Sequence, residues 1–415
     1  MSLAENVSAR IAYKAYSTGA ISSNTQPTSS SDPAATGGQV LRRTSCSLAL
    51  TKDTYQSNEV RTDRQIGDYR HGVKRVSGSI SGELSPATYW DFIEAACRGT
   101  DSAAVSKTEA ELTSAAADNS TKTFTFGGGN PVTEGFRVGM VIRFTGLSES
   151  TNNSKNFLIT AISGSNNRVF TVYPAPTTMT ADTAFGVASI GRRVYVPASS
   201  HVARKFAIES YHTDLDIYRL FTECRVGGVN LNLPATGMAT IEIPMMGRDM
   251  ETASAGSAPF FSSPTGETST GILAAVNGLL MVQGVAQGVI TGATVNMNLN
   301  PSAEPVVGQN FVPEIFLGPT QVDGQLTAFF EDLTLVNYFI NETELELLLY
   351  LTTSTDAASD FMTIYMPKIK LGGATIGLEG QAGVPVTLPY TCLRYQGSGA
   401  GIDTTTIAFT DSDAS

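Results

Sequence analysis

Charge is scarce in this 415-residue chain: Asp, Glu, Lys and Arg make up 16% of it, against about 25% in an average soluble domain. With 41% hydrophobic residues, that scarcity excludes a disordered polymer, which needs high charge and few apolar groups. It also excludes a coiled coil, which needs Glu, Lys and Leu in bulk. The four cysteines, Cys46, Cys97, Cys224 and Cys392, form no CxxC pair, so neither a disulfide framework nor a thiolate zinc site is expected. They read as buried free thiols of a protein made in a reducing cytoplasm. The three histidines, His71, His201 and His212, form no HExxH motif. Asp214 and Asp216 share a strand face, but no further clustered carboxylate completes a metal site. Gly127-Gly128-Gly129-Asn130 lacks the Lys-Ser/Thr of a phosphate loop, and Gly397 to Gly401 lacks the helix of a dinucleotide site. No catalytic residue, cofactor or metal is therefore expected. Met1 to Thr18 has no apolar core of signal-peptide length. The charge-free stretch Thr268 to Ala303 is broken by Asn277, Gln283, Gln287 and several glycines. It is too interrupted for a membrane span, which needs about 18 apolar residues.

What remains is Gly, Ser, Thr, Ala and Asn, the composition of an all-β chain with many turns. The net charge of −11 is unevenly placed: residues 276–415 hold 3 basic and 14 acidic groups, and the rest of the chain balances to zero. An acidic chain is a poor gripper of nucleic acid, because phosphate neutralisation needs clustered cations.

The sequence also repeats itself, which is the first thing to look for in a long chain. Gly78 and Ile80 match Gly324 and Leu326, 246 residues on, and Ser45 to Leu50 matches Thr294 to Leu299, 249 residues on. Val226-Gly227-Gly228 matches Leu371-Gly372-Gly373, and Ile243-Pro244 matches Leu388-Pro389, both 145 residues on. The drop from 246 to 145 places about a hundred extra residues inside the first copy. Ser85, Pro86 and Gly99 punctuate a helix with Ser as N-cap and Trp90, Ile93 and Cys97 on one face. Beyond it the insert has strands of its own at 123–126, 140–144, 157–161 and 169–172, which suggest a small β-barrel or sandwich that folds alone. The expected layout is an N-terminal strand and arm at 1–40, the first copy at 41–100 and 203–250, the insert at 101–202, a linker at 251–275, and the second copy at 276–412.

The order Leu41 to Leu50, Asn58 to Gln65, Gly72-Val73, Gly78, Leu84 and Tyr89-Trp90 resembles the N-terminal part of long-tailed bacteriophage tail tube proteins. Phe206 to Glu209 followed by Phe221 to Val229 is similar to the strand pair that comes next in that family. Val276 to Gly278, Gly324, Phe329 to Asp332 and Pro367 to Leu371 resemble the C-terminal half of its duplicated members. The resemblance implies two tandem β-sandwiches, each with one short helix, whose inner sheets close into a ring barrel. Two copies per chain imply a homotrimeric, pseudo-sixfold ring, with a six-chain double-layered ring as the alternative. Rings would stack into a virion tail tube that conducts the genome without binding it. The tape measure protein and the terminator and distal tail proteins would be its partners, and no membrane is implied.

For such a role the residues offer two sets of candidates. Glu83, Glu242, Glu331, Asp332 and Glu379 are expected to face the lumen, where like charge repels DNA. Arg61, Asp63, Arg64, Asp68 and Arg70 lie in a loop of mixed charge, which suits a polar contact between rings. The second copy's acidic excess predicts a lumen whose charge alternates with threefold symmetry. A competing reading is a phage adhesin whose insert binds a host glycan. A β-sandwich carbohydrate hydrolase is a third, opposed by the absence of a paired-carboxylate site and by the single Trp. An outer insert would hinder a sheath, so a non-contractile tail is expected.

Overall fold

The computed structural model describes residues 5–16, 33–287, 290–377 and 383–413. Strands hold 46% of the described residues and helices 9%, so the fold is all-β.

Its organising element is one long antiparallel sheet. From edge to edge it runs Ser45–Cys46 with Ala49–Gln56, then Tyr69–Glu83, Thr240–Gly247, Gly228–Pro234, Ile290–Asn298, Gln321–Phe329, Pro385–Cys392 and Thr375–Ile376. Strict alternation explains why these segments share a sheet, since successive side chains point to opposite faces. Ile80, Ile241, Ile243, Leu231, Val295, Leu326 and Leu388 all point to one side and are buried.

Two smaller sheets cover that apolar side. The first holds Ala9–Ala15, Phe206–His212, Ile217–Val226 and Asp249–Ser254. The second holds Leu279–Val282, Leu345–Thr352, Phe361–Leu371, Ala408–Asp411 and Arg192–Tyr195. In each, one strand turns the corner into the long sheet. Arg225 and Val226 pair with Met246 and Met245, and the chain then passes Gly227 into Gly228–Pro234. Ile369 to Leu371 pair with Cys392 to Tyr390, and the chain then passes Gly372 and Gly373 into Thr375–Ile376. The core between the layers is one continuous cluster reaching from Ile11 to Phe409.

A separate eight-stranded sheet spans Ser106 to Ser189. It includes Thr123–Phe126, Val141–Thr145, Phe157–Ser163 and Val169–Tyr173, close to the strands expected there. Phe124, Phe126, Phe144, Phe157 and Phe170 fill its centre. That centre is not self-contained: Met281, Leu348, Tyr350, Phe361 and Tyr365 belong to the same cluster. Leu345–Thr352 shows why. Leu347, Leu349 and Leu351 face the sandwich core, while Leu348 and Tyr350 face the insert, so the strand is buried on both sides. The insert therefore sits on the side of the sandwich away from the long sheet.

The helix differs from its sequence punctuation. It runs Trp90–Cys97 and starts after Tyr89, because Ala87 takes a left-handed φ of 64° and the Ser85 hydroxyl is spent on Thr88 at 2.6 Å. Arg98, not Gly99, makes the left-handed C-cap. Gly99 is required for another reason: a Cβ there would stand 2.4 Å from the Tyr195 carbonyl oxygen. A later helix, Thr334–Ile340, is largely exposed.

Candidate functional site: a polar sheet face and its edges

The same alternation that buries one side of the long sheet leaves the other uncovered. One row of ladder partners across it reads Ser81, Glu242, Asn230, Asn296, Asp323 and Thr391. The neighbouring row reads Glu83, Thr240, Asn232, Thr294, Gln325 and Pro389. Neither row contains a Lys or Arg. Hydroxyls, amides and three carboxylates make the surface, and the Asn296 side-chain amide donates to the Asp323 carboxylate at 3.3 Å.

Glu83 and Glu242 thus lie on this face and are exposed. Asp323 joins them and was missed by sequence reasoning. Its signal was present, since Gln321-Val322-Asp323-Gly324-Gln325-Leu326 alternates and puts Asp323 opposite the apolar set. Glu331 and Asp332 are not on a strand: they lie in the exposed turn beyond Phe329. Asp332 accepts the Thr334 backbone N–H at 2.7 Å, and that bond holds its carboxyl below the usual range. Glu379 lies outside the described residues. The face takes two of its acids from the N-terminal half and one from the acid-rich last third. Much of the C-terminal acid is spent elsewhere. Glu344 pairs with Lys368, and Asp403 with Arg137 and Arg193.

Arg61, Asp63 and Arg64 lie in the exposed loop between Ala49–Gln56 and Tyr69–Glu83, and Asp68 and Arg70 lie at its base. Arg61 pairs with Asp63 at 3.4 Å and Arg70 with Asp68 at 2.8 Å. The Arg70 guanidinium holds the Asp68 carboxyl below its usual range. Exposed pairs of this kind are screened by solvent and contribute little, so their partners are readily exchanged.

The loop 300–319 is held against Lys205, Glu223, Arg225 and Arg248 by a buried ionic cluster. Arg248 pairs with Glu223 at 2.7 Å, each side chain only 1% exposed. Arg248 also donates to the Val312 carbonyl oxygen at 2.7 Å. Lys205 bridges Glu223 and Glu314, and Arg225 pairs with Glu314 at 3.1 Å. Burial pushes the Arg225 guanidinium below its ordinary value despite that partner. Sequence gave no signal for this cluster, because positions 205, 223, 225, 248 and 314 meet only in three dimensions.

Among the described residues no three His, Cys, Asp or Glu side chains are placed to hold a metal ion, and no helix is long and apolar enough to cross a membrane. The arrangement is that of a β-sandwich protein with an extended polar sheet face, on which Arg75 and Lys370 are the cations nearest the two rows. The family is phage tail tube protein: the chain belongs to it, with the family model matching residues 7–392, nearly the whole length. No curated protein matches the chain. Membership makes it a structural component of a virion tail, in a family of structural proteins rather than enzymes.

Proposed function

We propose that the chain is a tube subunit of two tandem sandwich copies, three chains closing a ring whose long sheet lines a conduit for DNA. The observation that carries this reading is the long sheet, whose eight successive positions from Ala49–Gln56 to Thr375–Ile376 run unbroken and end in strands unpaired on their outer side among the described residues. Twenty-four strands about 4.8 Å apart, tilted about 40°, enclose a barrel about 48 Å across between backbones. That is wider than a DNA duplex.

Ladder registers support the tandem copy. Asn230↔Glu242 and Leu231↔Ile241 recur 145 residues on as Thr375↔Thr387 and Ile376↔Val386. Met245↔Gly78 recurs as Tyr390↔Gly324. The Ser47 hydroxyl accepts the Ser79 N–H at 2.8 Å, and the Thr294 hydroxyl accepts the Gln325 N–H at 3.1 Å. This equates Ser47 with Thr294, 247 residues on, two fewer than the sequence match. A two-residue slip preserves which face each side chain takes, so the sequence pattern could not resolve it.

A face with few cations has few counterions to release from DNA: Arg75 is paired with Asp53, and Glu83, Glu242 and Asp323 repel DNA within a Debye length of about 8 Å. Arg61, Asp63 and Arg64 reach from the loop to the adjacent ring. The insert decorates the outside of the tube, which argues for a tail without a sheath. The tape measure protein occupies the bore during assembly, and terminator and distal tail proteins cap the ends. Negative-stain microscopy of the purified chain tests the reading. Rings or tubes with a central hole are expected, and a monomer under all conditions overturns it.

A further inference from the structure

The junction between the two halves of one chain lets the junction between neighbouring chains be written residue by residue. Inside the chain, Gly228–Pro234 lies antiparallel to Ile290–Asn298, with Gly228 opposite Asn298 and Leu231 opposite Val295. Gly228 must be glycine there, because a Cβ would stand 2.2 Å from the Met297 carbonyl oxygen. Its counterpart 145 residues on is also glycine, Gly373. Yet at Gly373 nothing among the described residues demands it: there a Cβ would meet only the Pro389 ring, at 3.5 Å.

We propose that the seam between adjacent subunits repeats the in-chain junction, so that Gly373 lies opposite Thr51, Thr375 opposite Ala49 and Ile376 opposite Leu48 of the next chain. The carbonyl of the neighbour's Leu50 then occupies the space that a side chain at 373 would fill. This deepens the ring reading above and rests on it.

Two independent observations fit the register. First, the apolar parity is right. Val229, Leu231, Val295 and Met297 are each at most 2% exposed at the in-chain junction, and their counterparts at the two free edges are Ala374, Ile376, Leu48 and Leu50. Of these, Ala374, Ile376 and Leu50 are only partly buried at the margin of the core, as expected of a junction awaiting its other half. Second, the charges are complementary. Ser302↔Phe316 matches Tyr55↔Arg70 in register, which equates Glu314 with Asp68, and Arg225 is equivalent to Lys370. The in-chain pair Glu314–Arg225 at 3.1 Å therefore has a seam counterpart in Lys370 and the next chain's Asp68. Asp68, expected from sequence to bridge rings, is assigned to the seam instead.

The test uses the full chain. Gly373→Val should leave the subunit folded, with an unchanged far-ultraviolet circular dichroism spectrum, and abolish rings by sedimentation and microscopy. Asp68→Lys and Lys370→Asp should each weaken ring formation at least tenfold, and the double reversal should restore it. Ala49→Cys with Thr375→Cys should oxidise to a covalent ladder ending at three chains. Wild-type rings together with normal Gly373→Val rings, absent charge rescue, or cross-linking only when the first cysteine is moved to 47 or 51 overturn the register alone. A wild-type chain that never forms rings overturns the ring reading and the seam with it.

Discussion

The Glu223–Arg248 pair offers the sharpest test of how the buried ionic cluster beneath the 300–319 loop is held together. Both side chains are 1% exposed and 2.7 Å apart, and Lys205 reaches the same carboxylate at 2.9 Å. Glu223→Gln keeps the shape but removes the charge that Arg248 and Lys205 share. Breaking a buried pair by removing one partner costs about 3–5 kcal/mol. The unfolding entropy is about 2.1 cal/mol/K per residue. For a 415-residue chain the expected fall in Tm is therefore about 3–6 °C. Glu223→Gln with Arg248→Met removes both charges and leaves an apolar contact beside Phe311, whose ring the guanidinium already faces at 5.5 Å. The double variant should recover most of the loss, since desolvating a pair offsets most of its attraction. Thermal scans of the four proteins, with hydrogen exchange of the 300–319 loop, measure both effects. Equal losses for the single and the double variant would refute the account, because the penalty would then not come from an uncompensated charge.

Further outcomes follow from the same structure. Burial holds the Glu346 carboxyl above its ordinary value of 4.5, so the folded chain keeps a proton where the unfolded chain has lost it. Stability from this group is complete below that value and falls as pH rises through the raised one. Glu346→Gln, which can still accept from the Tyr365 hydroxyl, should raise Tm near pH 7 and leave it unchanged near pH 4; a constant difference across pH would count against this. Replacing Glu83, Glu242 and Asp323 by Lys should leave tubes assembled but make them retain short duplex DNA at low salt, with retention falling steeply as salt rises; no retention by gel shift would remove these residues from the conduit wall. Reversing Arg61 and Arg64 to Glu should give soluble rings that do not stack, and normal tubes under the microscope would end that assignment.

Period-2 alternation carried much of the site in the sequence. It placed Glu83 and Glu242 on the polar side of strands whose other side is Ile80, Ile241 and Ile243. Glu331 and Asp332 lie past Phe329, where the strand ends and the chain turns toward a helix, so alternation assigns them no face. Asp323 was overlooked although the same rule reaches it. The helix boundary failed at Ala87, whose left-handed backbone has no side-chain signature.

The opening scarcity of charge has a structural meaning. Strands that alternate between an apolar core and a Ser/Thr/Asn/Gln face need few ions, and the sequence by itself determined that pattern, the all-β class and the likeness to tail tube proteins. Only the tertiary structure decided where distant charges meet, as in the cluster of Lys205, Glu223, Arg225, Arg248 and Glu314. It also decided which apolar strand is covered twice, as Leu345–Thr352 is between the sandwich core and the insert. The physical reason is range: alternation is a property of neighbours along the chain, whereas pairing register and ionic contacts depend on residues hundreds of positions apart.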